Sequence, residues 1–409
     1  MSNLLLINHY AGSPTYGMEY RPYYLAREWV RMGHRVRIVA ADHSHMRNRN
    51  PVVEGREARE TIDGIEYVWL RTPAYAGNGL SRVRNMAAFI LELYRWSRRG
   101  LADFRPDAVI ASSTYPLDNY PARSIARRFG ARFVYEVHDL WPLSPIELGG
   151  YSRLHPFILA MQAAEDYAYR HCDRVVSLLP CAEDYMRSRG LAAGKFVCVP
   201  NGIDAAEWES GVSELPEPHR TAVREAGRDG TLLVCYAGAH GLANALDSFL
   251  DAAKVYRGPP ARFLLVGNGP EKARLEARIR DEGIGSALSL PPVPKAAVPA
   301  LLARMDILYI GLQRQSLFRF GISPNKLIDY MMAGKPVIQA IEAGNDLTAQ
   351  AACGISVRPE DPEAAAEAVL KLAGLSPAER QALGARGRAY ALANHDYKVL
   401  AGRFLEALQ

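Results

Sequence analysis

A chain of 409 residues exceeds what one average core accommodates, so two domains of about 200 residues each are the natural division. Apolar residues make up 49% and the net charge is only +5, which excludes a disordered chain and disfavours a nucleic-acid binder, since the cations are dispersed and no aromatic-interleaved basic patch occurs. Five cysteines without CxxC spacing or a zinc-type histidine pattern exclude a disulfide scaffold and a structural metal, and imply a reducing compartment.

Short apolar runs alternate with longer amphipathic segments from end to end, the pattern of α/β sheets with helical crossovers. The opening run, residues 4–7, is too short for a signal-peptide core, lacks a basic start, and reads as a first strand. It leads into residues 8–21, where Gly12 and Gly17 either let the main chain approach a ligand or form a plain turn. Further strands are expected at 36–40, 65–70, 108–111, 133–137, 175–179 and 196–199. Residues 80–99 form a helix on which Leu80, Val83, Ala87, Ile90, Leu91 and Tyr94 make one stripe flanked by Arg82, Arg84, Arg95, Arg98 and Arg99. Such a helix can lie on an anionic membrane surface or pack into the core with a solvated basic edge. The run YEVHDLWP at 135–142 carries His138 and Asp139 to a strand's carboxyl end, where an imidazole can orient a ligand hydroxyl or be structural. Residues 1–200 hold 26 Lys and Arg against 20 Asp and Glu, and 25 of the cations are Arg, which suits an anionic partner.

A polar stretch at 209–229 reads as a linker with a frayed helix. Strands then restart at 232–237, 263–267, 288–290, 307–310, 337–340 and 355–357. The first ends in small residues with Gly238 and Gly241 beside an exposed His240, and the second runs into a Gly-Asn-Gly-Pro turn containing Gly267. The run FGISPNKLIDYMMAGKPVI at 320–338 is the most informative. Ser323 is placed as an N-cap and Pro324 at the first helical position, so the N–H groups around Asn325 face an anion. Lys326 adds a cation, and Asp329 lies on nearly the same face, within reach of a ribose below a bound phosphate. An ordinary capped helix with a surface Lys and Asp fits the same residues. Gly334 closes the helix. The domains are therefore expected at 1–205 and 206–394, with a last helix at about 395–409 that can pack back on the first. Ligands of such sheets sit beyond the strands' carboxyl ends, in a cleft between two facing sheets.

These runs resemble retaining GT-B glycosyltransferases of glycosyltransferase family 4, and among them bacterial surface-polysaccharide enzymes that transfer an amino sugar. The matching segments are YAG (236–238), LLVGNGPEK (264–272), LFRFGISPNKLIDYMMAGKPVI (317–338), CGISVRPEDP (353–362), MGHRV (32–36), YEVHDLWP (135–142) and VPNGID (199–204). The resemblance implies two facing Rossmann-like domains with a central cleft and a UDP-linked sugar donor. It implies transfer with retained configuration, without bound metal or other cofactor. Asp329 falls where the family has the second of two glutamates eight apart, the one on the ribose; the first, on the sugar, is replaced by Gly321. The Arg and Lys that neutralise the diphosphate correspond to Ala239 and Asn244, so Lys326 with Arg319 is inferred to replace them, helped by the backbone of residues 323–325. His138 matches the histidine near the donor sugar, Gly12 and Gly17 the phosphate-side loop, and Val293 the backbone that pairs with the base. The expected acceptor is a polyprenyl-diphosphate-linked saccharide, reached from the inner face of the cell membrane by a cytoplasmic protein, with no nucleic-acid partner. A nucleotide-sugar epimerase or hydrolase of the same architecture is the nearest alternative, and a nicotinamide dehydrogenase is disfavoured because no GxGxxG turn opens a helix.

Overall fold

The computed structural model describes every residue except 78, 211, 212 and 409. The chain forms two compact units, Met1–Asn201 together with Tyr397–Gln409, and Gly202–Asp396.

The first unit is built on eight strands: β1 (Asn3–Ile7), β2 (Arg35–Ala41), β3 (Glu57–Ile62), β4 (Ile65–Leu70), β5 (Ala108–Ala111), β6 (Arg132–Val137), β7 (Arg174–Ser177) and β8 (Phe196–Cys198). Their order is β3-β4-β2-β1-β5-β6-β7-β8, and only β3 is antiparallel to its neighbour. Strands buried on both faces must be apolar throughout, as Leu4, Leu5, Leu6 and Ile7 are. The direction of winding reverses between β1 and β5, so the crevice outside their carboxyl ends is the natural site position. The edge strand β3, with the sequence EARETI, has no counterpart among the expected strands. It is charged, solvent-facing and recognisable only by its antiparallel pairing with β4.

The second unit has six parallel strands in the order β11-β10-β9-β12-β13-β14: β9 (Leu232–Ala237), β10 (Ala261–Val266), β11 (Ala287–Leu290), β12 (Ile307–Gly311), β13 (Val337–Ala340) and β14 (Gly354–Val357). Here the winding reverses between β9 and β12. The described part of the polar stretch 209–229 is not a linker. Helix Glu217–Ala226 packs Val223 into the second unit's core beside Leu215, and His219 Nε2 lies 2.8 Å from the Pro291 carbonyl. Val223, flanked by Ala222 and Ala226, docks a helix that looks polar by composition, with Leu215 just before it and one histidine contact beside it.

Helix Tyr397–Ala407 returns to the first unit. Trp29 Nε1 donates to the Ala401 carbonyl at 3.1 Å, Tyr397 stacks on Tyr24 at 4.8 Å, and Phe404 meets Trp29 edge-on at 5.1 Å. Among the described residues no helix is long and apolar enough to cross a membrane.

Candidate functional site

Beyond the carboxyl ends of β9 and β10 in the second unit lies a cavity of about 370 Å³ lined by residues that include Gly238, Gly267, Pro292, Val293, Lys326 and Asp329. Its floor depends on two glycines. A Cβ on Gly267 would sit 1.9 Å from the Gly238 carbonyl oxygen, and one on Gly238 would sit 2.5 Å from Lys326 Cε. Both have φ near +155°, so the backbone itself demands glycine there. Val298 and Leu301 supply an apolar wall.

Lys326 crosses this floor. Its Nζ lies 2.5 Å from the Tyr236 hydroxyl, 3.0 Å from Asn244 Oδ1 and 4.1 Å above the Tyr236 ring. Burial brings the ammonium down to about 7, against the opposing pull of Asp329. The Asp329 carboxyl is pushed up to about 7 by burial, with Lys295 and Lys326 acting the other way. Cation and carboxylate therefore line one cavity, burial disfavours the charged form of each, and among the described residues no direct ion pair joins them. Such a pair is poised to bind a ligand carrying both an anion and hydroxyl donors.

The helix that bears them runs Asn325–Met332, so its start differs from the expectation. Pro324 is extended (φ −77°, ψ 122°) and occupies the cap position, Ser323 precedes it, and no side chain caps this end. The cause lies in Asn345, whose amide accepts from Ile322 N at 2.7 Å and donates to Ile322 O at 3.0 Å, holding the approach to the helix extended. Ser323, Pro324 and Asn325 lie outside the cavity lining. Gly334, at φ +66° with its N–H on the Met331 carbonyl, terminates the helix.

Two other expected residues are placed differently. His240 is not exposed: it is 1% accessible, both ring nitrogens lack a hydrogen-bond partner among the described residues, and burial followed by the neighbouring Lys272 charge brings it down to about 4. The turn after β10 folds over it, with His240 N donating to Asn268 O at 2.8 Å and Glu271 N to His240 O at 2.9 Å. His240 is therefore a buried ring whose charged form is disfavoured. Arg319 is exposed on the turn Ser316–Phe320, donates to Ser316 O at 2.6 Å and lies over the Phe320 ring, outside the cavity lining. A residue that sequence reasoning passed over is Lys272. Its Nζ reaches Gly267 O and Leu290 O, each at 2.9 Å, and so ties together the carboxyl ends of β10 and β11 beside the cavity. Lys272 opens the helix Lys272–Asp281 and closes the run LLVGNGPEK, where nothing local marks it off from its neighbours.

In the first unit, Gly12 and Gly17 belong to a loop closed on itself. Gly12 N donates to Glu19 O and Gly17 N to Ser13 O, both at 2.8 Å, and a Cβ on Gly12 would sit 1.9 Å from Gly17 O. Their N–H groups are spent within the loop. Arg47 anchors it by donating to Ala11 O at 2.8 Å. His138 follows β6 with its side chain 13% exposed and Nε2 3.0 Å from Ser112 Oγ. Asp139 is structural, accepting from Ser144 Oγ at 2.7 Å.

Two family models match the chain: a glycosyl transferase 4-like domain over residues 16–202, and glycosyl transferases group 1 over residues 231–374. A putative colanic acid biosynthesis glycosyl transferase of Escherichia coli (strain K12), WcaI, is 24% identical over 328 residues, covering 78% of this chain and 79% of that one. Among solved structures, sucrose-phosphate synthase of Thermosynechococcus elongatus aligns over 99% of this chain and 98% of its own (TM-score 0.71, 16% identity). HepE of Anabaena in complex with UDP-glucose aligns over 100% and 99% (TM-score 0.65, 14% identity). WaaG, a glycosyltransferase involved in lipopolysaccharide biosynthesis, aligns over 99% and 98% (TM-score 0.63, 17% identity).

Proposed function

Because this chain belongs to the glycosyltransferases, with a 4-like first domain and a group 1 second domain in the GT-B fold, we propose that it transfers an N-acetylated amino sugar from UDP to a lipid-linked saccharide, with retention of configuration, in bacterial surface-polysaccharide synthesis. The observation that carries this reading is the cavity holding Lys326 and Asp329 over Gly238 and Gly267. A diphosphate needs a close main chain and a cation, and a ribose needs a carboxylate that accepts from two hydroxyls. Val293 and Pro292 offer backbone atoms and an apolar face for a base. A UDP-glucose complex of the similarly folded HepE supports a UDP-linked donor.

Departure of the nucleotide leaves negative charge on the diphosphate while the anomeric carbon gains oxocarbenium character, so positioned donors and cations matter more than a strong base. Lys326 fits that need: its Nζ already lies against Asn244, the position where the resemblance looks for a lysine. His138 is assigned to a hydroxyl of the transferred sugar, and attack by the acceptor from the leaving-group face accounts for retention.

For the acceptor, helix Leu80–Ser97 offers support. Its core face is Asn85, Met86, Phe89, Leu93 and Trp96, whereas Leu80, Val83, Leu91 and Tyr94 on the opposite face are exposed. An exposed apolar stripe interleaved with Arg84, Arg95 and Arg98 suits peripheral contact with an anionic membrane on its inner face, where polyprenyl-diphosphate-linked substrates reside.

The test is a thermal-shift panel of nucleotide diphosphate sugars, followed by turnover with and without a polyprenyl-diphosphate-linked saccharide. Stabilisation by UDP-sugars and acceptor-dependent release of UDP are expected. Stabilisation by none, or equal turnover without acceptor, overturns the proposal, the latter in favour of an epimerase or hydrolase.

A further inference from the structure

Beneath His138 lies an enclosed polar cluster that the donor reading does not use. Glu136 on β6, Ser112 just after β5 and Asn8 just after β1 are each 2% exposed or less. Glu136 Oε1 accepts from Arg21 Nε at 2.9 Å, and the same guanidinium donates to Val199 O at 2.8 Å and Pro200 O at 2.6 Å. Burial opposes ionisation of Glu136, but the Arg21 charge, joined by His138 whenever that ring is protonated, outweighs it and holds the carboxyl low. The second oxygen, Oε2, accepts from Ser112 Oγ at 2.6 Å.

A serine hydroxyl has one proton and two lone pairs. The Ser112 proton goes to Glu136, and one lone pair accepts from Asn8 Nδ2 at 3.1 Å. The remaining contact, His138 Nε2 at 3.0 Å, is then donated by the imidazole. Reversing it would strip Glu136 of its serine donor inside a dry core, the more costly arrangement. Asp118 and Asp139, the other acids nearby, engage Ser113 N and Ser144 Oγ, so among the described residues Glu136 is the carboxylate within ion-pair distance of the ring.

We propose that Glu136 and Ser112 are positioning residues that hold His138 with its hydrogen on Nε2, leaving Nδ1 to accept a hydrogen bond from a hydroxyl of the transferred sugar. The role of Nδ1 rests on the donor reading above, whereas the fixed tautomer does not. Nδ1 makes no hydrogen bond among the described residues, which leaves it for a ligand. The chain Nε2–H to Ser112 to Glu136 also fixes the ring's orientation, and Arg21 holds the far end rigid.

The test uses the full chain labelled with ¹⁵N in its histidine rings, with the His138 signals identified by their loss in His138→Asn. At a pH where the ring is neutral, its Nδ1 is expected at the unprotonated shift and Nε2 at the protonated one. The opposite pattern, or a rapid average of the two, overturns the proposal. Glu136→Gln strands Arg21 and can unfold the unit, so the decisive variant is Ser112→Ala, which cuts the relay and keeps the ion pair. It is expected to shift the His138 nitrogens toward a mixture of tautomers. With a UDP-sugar and acceptor that support wild-type turnover, it is expected to lower kcat about tenfold while KM for the donor stays within about twofold. In a His138→Asn background the same substitution is expected to cost nothing further. An equal loss in that background shows that Ser112 acts elsewhere. A correct tautomer with full turnover in His138→Asn sinks the role of His138 in transfer and leaves the relay standing.

Discussion

Binding of a UDP-sugar is predicted to exchange protons with solvent in a direction that reverses near neutrality. Lys326 is brought down to about 7 and Asp329 pushed up to about 7 in the same cavity. At pH 8, roughly nine-tenths of Lys326 is neutral and nine-tenths of Asp329 ionised. A diphosphate beside Lys326 restores its ammonium, and ribose hydroxyls donating to Asp329 demand its carboxylate, so the ligand raises the first group and lowers the second. Binding at pH 8 therefore takes up about 0.9 of a proton at the lysine and releases about 0.1 at the aspartate, a net uptake of about 0.8. At pH 6 the same arithmetic gives a net release of about 0.8, and near pH 7 the two cancel. Titration calorimetry in pairs of buffers with very different ionisation enthalpies reads this number directly. A UDP-sugar is preferable to UDP, because its diphosphate has no terminal phosphate titrating in this range. Lys326→Met should abolish the uptake at pH 8 and keep the release at pH 6. A proton exchange of one sign at both values, or none at either, refutes the joint assignment of Lys326 and Asp329 to the donor.

Other outcomes follow from the same geometry. Lys326→Ala should lower transfer about 100-fold or more, the scale of a lost transition-state donor, and an unchanged steady-state rate would reject its role. Asp329→Ala should weaken UDP-sugar binding about tenfold or more by calorimetry, since a charge-assisted hydrogen bond is lost, and intact affinity would count against the ribose contact. Phe404→Ala should cost the first unit about 3–5 kcal/mol in urea denaturation, because the ring packs edge-on against Trp29 in the core; a loss below about 1 kcal/mol would mean the last helix contributes little. The chain should co-sediment with anionic liposomes at low salt and do so less after Leu91→Asp with Tyr94→Asp. Failure of the unaltered chain to co-sediment would remove the membrane from the account.

Elements that bury both faces could be read directly. The runs at 65–70, 108–111, 232–237 and 337–340 coincide with β4, β5, β9 and β13, because strands covered on both faces are largely apolar, with Glu66 and Gln339 as the exceptions. The strand β3 escaped notice since an edge can be polar on both sides, and helix Glu217–Ala226 because its docking rests on Leu215, Val223 and one histidine bond. Within the site, Lys326 and Asp329 could be grouped from helical spacing alone, and both line the cavity. The conformation around Ser323 could not, since it is decided by Asn345, more than twenty residues away. His240 looked exposed because a Gly-rich turn suggests open space, yet glycines equally allow another turn to close on top of it. Lys272 and the Glu136 network depend on contacts between separate strand ends, which no local pattern records.

The return of helix Tyr397–Ala407 to the first unit has a consequence for synthesis. The socket formed by Tyr24 and Trp29 is translated early, but the side chains that fill it come only after the whole second unit has left the ribosome. The nascent first unit thus carries an open greasy slot throughout that interval, a natural foothold for chaperones and a point at which truncated products would be recognised and degraded.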